Sequence, residues 1–115
     1  NRILAAPAYT GSIPAAADQE DFVSMGMTTL LKTHDIIKNA FAGMGMEMIA
    51  AAQAFDILKP LKPGKGSLAA YEGIRKHVPY MDDDRPLHND INAAAAAVMA
   101  GEVVAAVESA VGKLE

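Results

Sequence analysis

Between Leu30 and Leu58 the positions Leu30, His34, Ile37, Phe41, Met44, Met48, Ala51, Phe55 and Leu58 alternate spacings of four and three. That rhythm predicts one long helix with a heptad seam along one face. Beside it runs a second stripe, Ile36, Ala40, Gly43, Glu47, Ala50, Ala54 and Ile57, made mostly of small residues, on which another helix can approach closely. The pattern buries Glu47 in that stripe, either paired with a basic group across a helix interface or close to an active site. His34 reads as a packing histidine within the seam, and Met44, Met46 and Met48 read as core filling. Gly43 and Gly45 each weaken a helix interior by about 1 kcal/mol relative to alanine, so tertiary packing has to hold this helix together.

Punctuation on either side sets the other elements. Pro7, Gly11 and Pro14 make residues 1–14 an irregular lead-in. Residues 15–115 then read as a helical segment that is not an independent domain. Asp18, Glu20 and Asp21 suit the positive end of a helix dipole, which predicts that the long helix starts near Ala15. "KPLKPGKG", Lys59 to Gly66, ends it, and Ser67 offers an N-cap for "SLAAYEGIRKHV", with Leu68, Tyr71, Ile74 and Val78 near one face. Lys76 and His77 place positive charge at that helix's C-terminus before Pro79 stops it. After the loop "PYMDDDRPLHND", Asn89 or Asp90 can cap "INAAAAAVMA". Gly101 can end it, and "EVVAAVESAV" follows with Val104, Val107 and Val111 on one face. In the loop, an ion pair between the Asp82–Asp84 run and Arg85 is favoured over a cation site, because consecutive aspartates point different ways. No metal site is expected.

Composition sharpens this all-α reading. Of 115 residues 51% are hydrophobic but only 5% aromatic, so apolar volume comes from Ala, Met, Val, Ile and Leu. A net charge of −4 gives no electrostatic footprint for nucleic acid or for an anionic membrane. The longest apolar stretches are interrupted by Glu47, Gln53 and Asp56, short of the roughly 18 residues of a span. No cysteine is present, which removes disulfides, a thiolate nucleophile and a cysteine zinc site, and makes cytoplasm the expected compartment. The start "NRILAAPAYTGSIP" has neither an initiator Met nor a signal peptide and reads as the middle of a longer protein. A long helix with two packing faces and only three short partners also implies missing partners, either other segments or other subunits.

Three stretches, in order, carry a resemblance. "SIPAAADQEDFVSMGM", from Ser12, resembles "SIPTSANQEDHVSM" of histidine ammonia-lyases, within the wider family of aromatic amino acid ammonia-lyases and aminomutases. "MEMIAAAQAFDILKPLKP", Met46 to Pro63, is similar to that family's long bundle helix around "IELLAAAQALD". "HVPYMDDDRPLHNDI" is similar to its "RVPxLxxDRxxxxDI" stretch.

The resemblance implies the C-terminal part of a large helical-bundle lyase, one long central helix plus shorter helices, assembled as a homotetramer with active sites built from several subunits. It implies conversion of L-histidine to urocanate and ammonia, with a methylidene-imidazolone (MIO) electrophile made from an Ala-Ser-Gly triplet. That triplet is absent from this chain, so the N-terminal part of the enzyme must supply it and the chain is inactive alone. The family's tyrosine base also lies upstream, so it is not assigned to Tyr9, Tyr71 or Tyr80.

The motif carries substrate contact onto Gln19 and Glu20, with Glu20 the catalytic candidate. A carboxylate accepts an imidazole N–H or a proton, while glutamine both donates and accepts. Taken as a bare tripeptide, the two read more readily as first-turn helix residues. Asp21 reads as a cap or ion-pair partner, and Ser24 as bonding backbone in the first turns. Asp18 and Phe22 stand where the resemblance has Asn and His, which bears on histidine specificity. The alternatives are a lyase or aminomutase of the same family acting on tyrosine, phenylalanine or another amino acid, or a non-catalytic helical assembly module.

Overall fold

The computed structural model describes residues 1–8, 11–17, 19–20 and 22–115. Among them are four helices and no strand: α1 (Gly26–Ile57), α2 (Lys65–Arg75), α3 (His88–Met99) and α4 (Glu102–Val111). They divide into two compact units, Asn1–Ala40 and Phe41–Glu115, with α1 contributing residues to both. No single described helix is long and apolar enough to cross a membrane.

α1 begins at Gly26, not near Ala15, and has no acidic residue in its first turn. Thr29 holds the start: its N–H and its hydroxyl both donate to the Met25 carbonyl, each at 3.1 Å. The acidic residues upstream mimic a dipole signal, but the one of them that is described, Glu20, is bridged to Ala15 outside any helix.

In the first unit, Lys32 Nζ donates to the Ala6 carbonyl, and Asn39 Nδ2 to Asn1 Oδ1 at 3.0 Å. None of its described residues is buried. The second unit has the core, made of Ile49, Ala52, Ile74, Val78, Ala94 and Val103. Ile74 and Val78 are each 1% exposed, which stabilises the unit by roughly 1.5–3 kcal/mol per side chain.

The buried residues of α1 are Gly45, Ile49 and Ala52, off both stripes read from the pattern, although the seam's Met48 does pack against this core. A Cβ on Gly45 would lie 2.9 Å from the Ala95 backbone nitrogen, whereas one on Gly43 meets nothing within 4 Å. Close approach therefore occurs at Gly45. The seam residues Leu30, Ile37, Met44 and Leu58 are exposed, as is Met46, so Met44 and Met46 fill no core within this chain. Glu47 is exposed as well.

The short helices are set by backbone rather than by side-chain caps. α2 starts two residues before Ser67, from an extended Gly64 without a side-chain cap bond. α3 starts after Leu87, also without one, so neither Asn89 nor Asp90 caps it. α2 packs along α4: a Cβ on Gly66 would sit 3.6 Å from Val107 and Val111, and one on Gly73 would sit 3.8 Å from Ala106. On α4 the buried valine is Val103, while Val104 and Val111 are about half exposed. Gly101, at φ 77°, takes the left-handed position that separates α3 from α4.

Candidate functional site

Gln19 and Glu20 lie outside any helix. Ala15 and Glu20 form an isolated antiparallel bridge: Ala15 N–H donates to the Glu20 carbonyl at 2.9 Å, and Glu20 N–H returns a bond to Ala15 at 3.2 Å. Inside it Gln19 N–H donates to the Ala16 carbonyl at 3.3 Å. Ser12 Oγ accepts from Val23 N–H at 2.7 Å, tying the two flanks of this turn. Gln19 and Glu20 are exposed at its tip. Glu20 precedes Gly26 by more than a helical turn, so neither residue caps α1 or sits against its dipole. The first-turn explanation of the pair therefore fails on geometry. What the turn can offer is a carboxylate acceptor and an amide that both donates and accepts, side by side. Phe22 is 75% exposed, and Ser24 lies before the helix. Tyr9, Asp18 and Asp21 lie outside the described residues.

A second polar constellation was not anticipated. Near the end of α1, Asp56 Oδ1 accepts from Lys59 Nζ at 2.6 Å and from the Tyr71 hydroxyl at 2.7 Å, and Arg75 reaches its Oδ2 at 2.8 Å. Those bonds, from Lys59 first and then Tyr71 and Arg75, outweigh partial burial and hold the Asp56 carboxyl down at about 2. Gln53, one turn earlier, pairs with both backbone atoms of Met81: its Nε2 donates to the carbonyl at 2.8 Å, and its Oε1 accepts the N–H at 3.2 Å. Arg75 also donates to the carbonyls of Val78 and Pro79, at 3.1 Å each. The signal was present in the sequence as Gln53 and Asp56 three apart opposite Tyr71 and Arg75 four apart. Read along one helix at a time, it registers only as interruptions of an apolar face. This cluster anchors helix ends and a loop, and exposes no free acid or base.

The remaining candidates are structural. Arg85 pairs with Asp90 at 2.8 Å and donates to the carbonyls of Tyr80 and Pro79, so its carboxylate comes from α3 and not from the exposed Asp82–Asp84 run. His77 meets Glu102 of α4 at 2.8 Å. His34 is 63% exposed beside Asp35, so it is not packed within this chain. Among the described residues no three metal-ligating side chains come together. The larger recesses are apolar: one of about 480 Å³ is lined by Met46, Ile49, Ile57, Met81, Leu87 and Ile91.

The sequence model of the family described as aromatic amino acid lyase matches residues 1–76. A histidine ammonia-lyase of Myxococcus xanthus is 52% identical over 110 residues, covering 96% of this chain and 22% of the relative. One from Sorangium cellulosum is 45% identical over 114 residues, 99% of this chain and again 22% of the relative. Among solved structures, histidine ammonia-lyase from Trypanosoma cruzi matches with a TM-score of 0.87 at 28% identity, over 96% of this chain and 22% of that one. Tyrosine aminomutase from Streptomyces globisporus matches at 0.86 and 32% identity, over 94% and 21%. The chain thus spans about a fifth of the length of the proteins it matches.

Proposed function

The chain belongs to the aromatic amino acid lyase family, and on that premise we propose that it forms part of an ammonia-lyase converting L-histidine to urocanate and ammonia. The observation that carries this reading is the 52% identity to a histidine ammonia-lyase, running through almost the whole chain and across the turn that bears Gln19 and Glu20. Elimination breaks the bond from Cα to nitrogen and removes a β-proton, so the site must hold the amino acid firmly while a weakly acidic C–H is deprotonated. In this reading Glu20 binds the substrate imidazole N–H or takes up a proton, and Gln19 orients the substrate through its amide. Both roles suit exposed side chains on a turn closed by its own backbone.

The MIO electrophile of the family, when present, supplies the group that activates the amino acid for loss of ammonia. These residues do not fit it as a source or as a cradle: no Ala-Ser-Gly occurs in the sequence, and the larger described recesses are apolar. This chain contributes substrate binding and proton handling, and the remainder of a cytoplasmic homotetramer contributes the electrophile. The exposed Leu30, Ile37, Met44 and Leu58 face of α1 is consistent with such an assembly.

Glu20→Gln in the assembled enzyme tests the reading. Turnover of histidine should fall by roughly 10²- to 10⁴-fold, with the melting temperature nearly unchanged. A normal rate would make Glu20 structural. The likeness to a tyrosine aminomutase at 32% identity favours one second reading, a family member acting on tyrosine. Histidine turnover no better than tyrosine turnover decides for it.

A further inference from the structure

Between Ala15 and Glu20 the chain turns back with alanines where glycine is the ordinary choice. Ala16 at φ 52° and Ala17 at φ 56° both take positive φ. There a Cβ crowds the backbone, and Gly, Asn and Asp are accepted far more readily than alanine or β-branched residues. The arrangement is held by the reciprocal bonds of Ala15 and Glu20, at 2.9 and 3.2 Å, and by the 3.3 Å bond from Gln19 N–H to Ala16. If either alanine relaxed to negative φ, the chain between the paired residues would rotate and those bonds could not all survive. The directions in which Gln19 and Glu20 leave the backbone would change with them. Outside the turn, Val23 N–H donates to Ser12 Oγ at 2.7 Å and links the two flanks.

We propose that the left-handed pair Ala16 and Ala17 is the positioning device for Gln19 and Glu20, setting the line along which both side chains meet the substrate. The inference rests on the reading of Gln19 and Glu20 as substrate-handling residues. Ala16 and Ala17 are positioning residues: they act through backbone conformation, with side chains that offer no chemistry of their own. A displaced carboxylate slows proton transfer steeply, since an error of about 1 Å in a catalytic group can lower a rate roughly 100-fold.

Two replacements of similar volume separate conformation from bulk. In the assembled enzyme, Ala17→Asn accepts positive φ, whereas Ala17→Val resists it; the same pair is made at Ala16. The Asn variants should keep kcat and KM within about threefold of the parent. The Val variants should lose at least roughly tenfold in kcat and also raise KM, because Gln19 moves with Glu20. Equal losses in Asn and Val variants, or no loss in either, overturn the proposal. If a Val variant fails to assemble, Ala17→Gly accepts the same φ without a Cβ, and a loss beyond about tenfold there overturns it equally. Glu20→Gln is measured alongside. A normal rate in that variant removes the functional reading and this inference together, while a slow Glu20→Gln with a fully active Ala17→Val removes the inference alone.

Discussion

Residues 1–40 and 41–115 solve opposite problems. The first unit has no buried residue among those described, two successive alanines at positive φ, and the exposed pair Gln19 and Glu20. The second holds every buried hydrophobic side chain of the described chain and an ion cluster whose members are all bonded. Side chains free to meet a substrate are those not already spent on holding the fold, so under the proposed roles of Gln19 and Glu20 the difference separates chemistry from stability along the chain. Substitutions should then divide in the same way.

The widest separation is that of Glu20→Gln, with a large loss of rate and little loss of stability. Asp56→Asn should do the reverse. It removes a carboxylate 9% exposed and facing Arg75, Tyr71 and Lys59, and should lower stability by about 2–3 kcal/mol, read as melting temperature, with kcat nearly intact. The acid dependence carries a sign. Asp56 is depressed from 3.8 to about 2, so its contribution is complete above about pH 4 and is lost as pH falls through that interval. Discounted for the exposed Lys59 arm, it amounts to about 1–2 kcal/mol. Acid unfolding of Asp56→Asn should lack this component, and identical acid curves for parent and variant would contradict it.

Next in size is a pair of glycines in one helix. Gly45→Ala brings a Cβ to 2.9 Å from the backbone of Ala95 and should destabilise by about 1–2 kcal/mol, although alanine is otherwise the better helix former. Gly43→Ala meets open space in this chain and should be neutral or gain up to about 1 kcal/mol. Thermal melts of the assembled enzyme compare them directly, and an equal loss at Gly43 would mean that a partner outside this chain approaches there. The smallest effect belongs to His77→Gln. It breaks a pair 32% and 55% exposed and should move stability by less than about 1 kcal/mol. A larger shift on melting would show that the pair is buried in the assembly.

Helix existence was legible in the sequence, because Pro60, Pro63, Pro79 and Gly101 break the chain whatever surrounds it. The packing face of α1 was not. Periodicity ranks faces by apolar bulk, and the bulky seam from Leu30 to Leu58 is mostly exposed here while Gly45, Ile49 and Ala52 receive the chain's own short helices. The start of α1 was misplaced because acidic residues before an apolar run look the same on a helix and on a turn closed by backbone bonds. Gln19 and Glu20 were found only through the surrounding motif, since two polar residues have no periodicity of their own. The Asp56 cluster escaped because its partners lie 15 and 19 residues away, beyond the range of any pattern read along one helix.

The Asp56–Arg75 pair lies within the chain segment spanned by the Gln53–Met81 pair, and this nesting has an entropic consequence. Bringing Gln53 to Met81 closes 28 residues, which from an open chain costs about 3 kcal/mol in loop entropy. Once Arg75 is bound to Asp56, 19 residues away, only the two arms outside that closure, about 10 residues together, remain to be closed, and by the same logarithmic law the cost falls to about 2 kcal/mol. The bonds to Met81 therefore depend on Asp56 without touching it. Loss of that carboxylate leaves the inner closure to the core contacts of Ile74 and Val78 and to the Arg75–Gln53 bond, and puts up to about 1 kcal/mol of closure entropy back onto a pairing whose own atoms are unchanged.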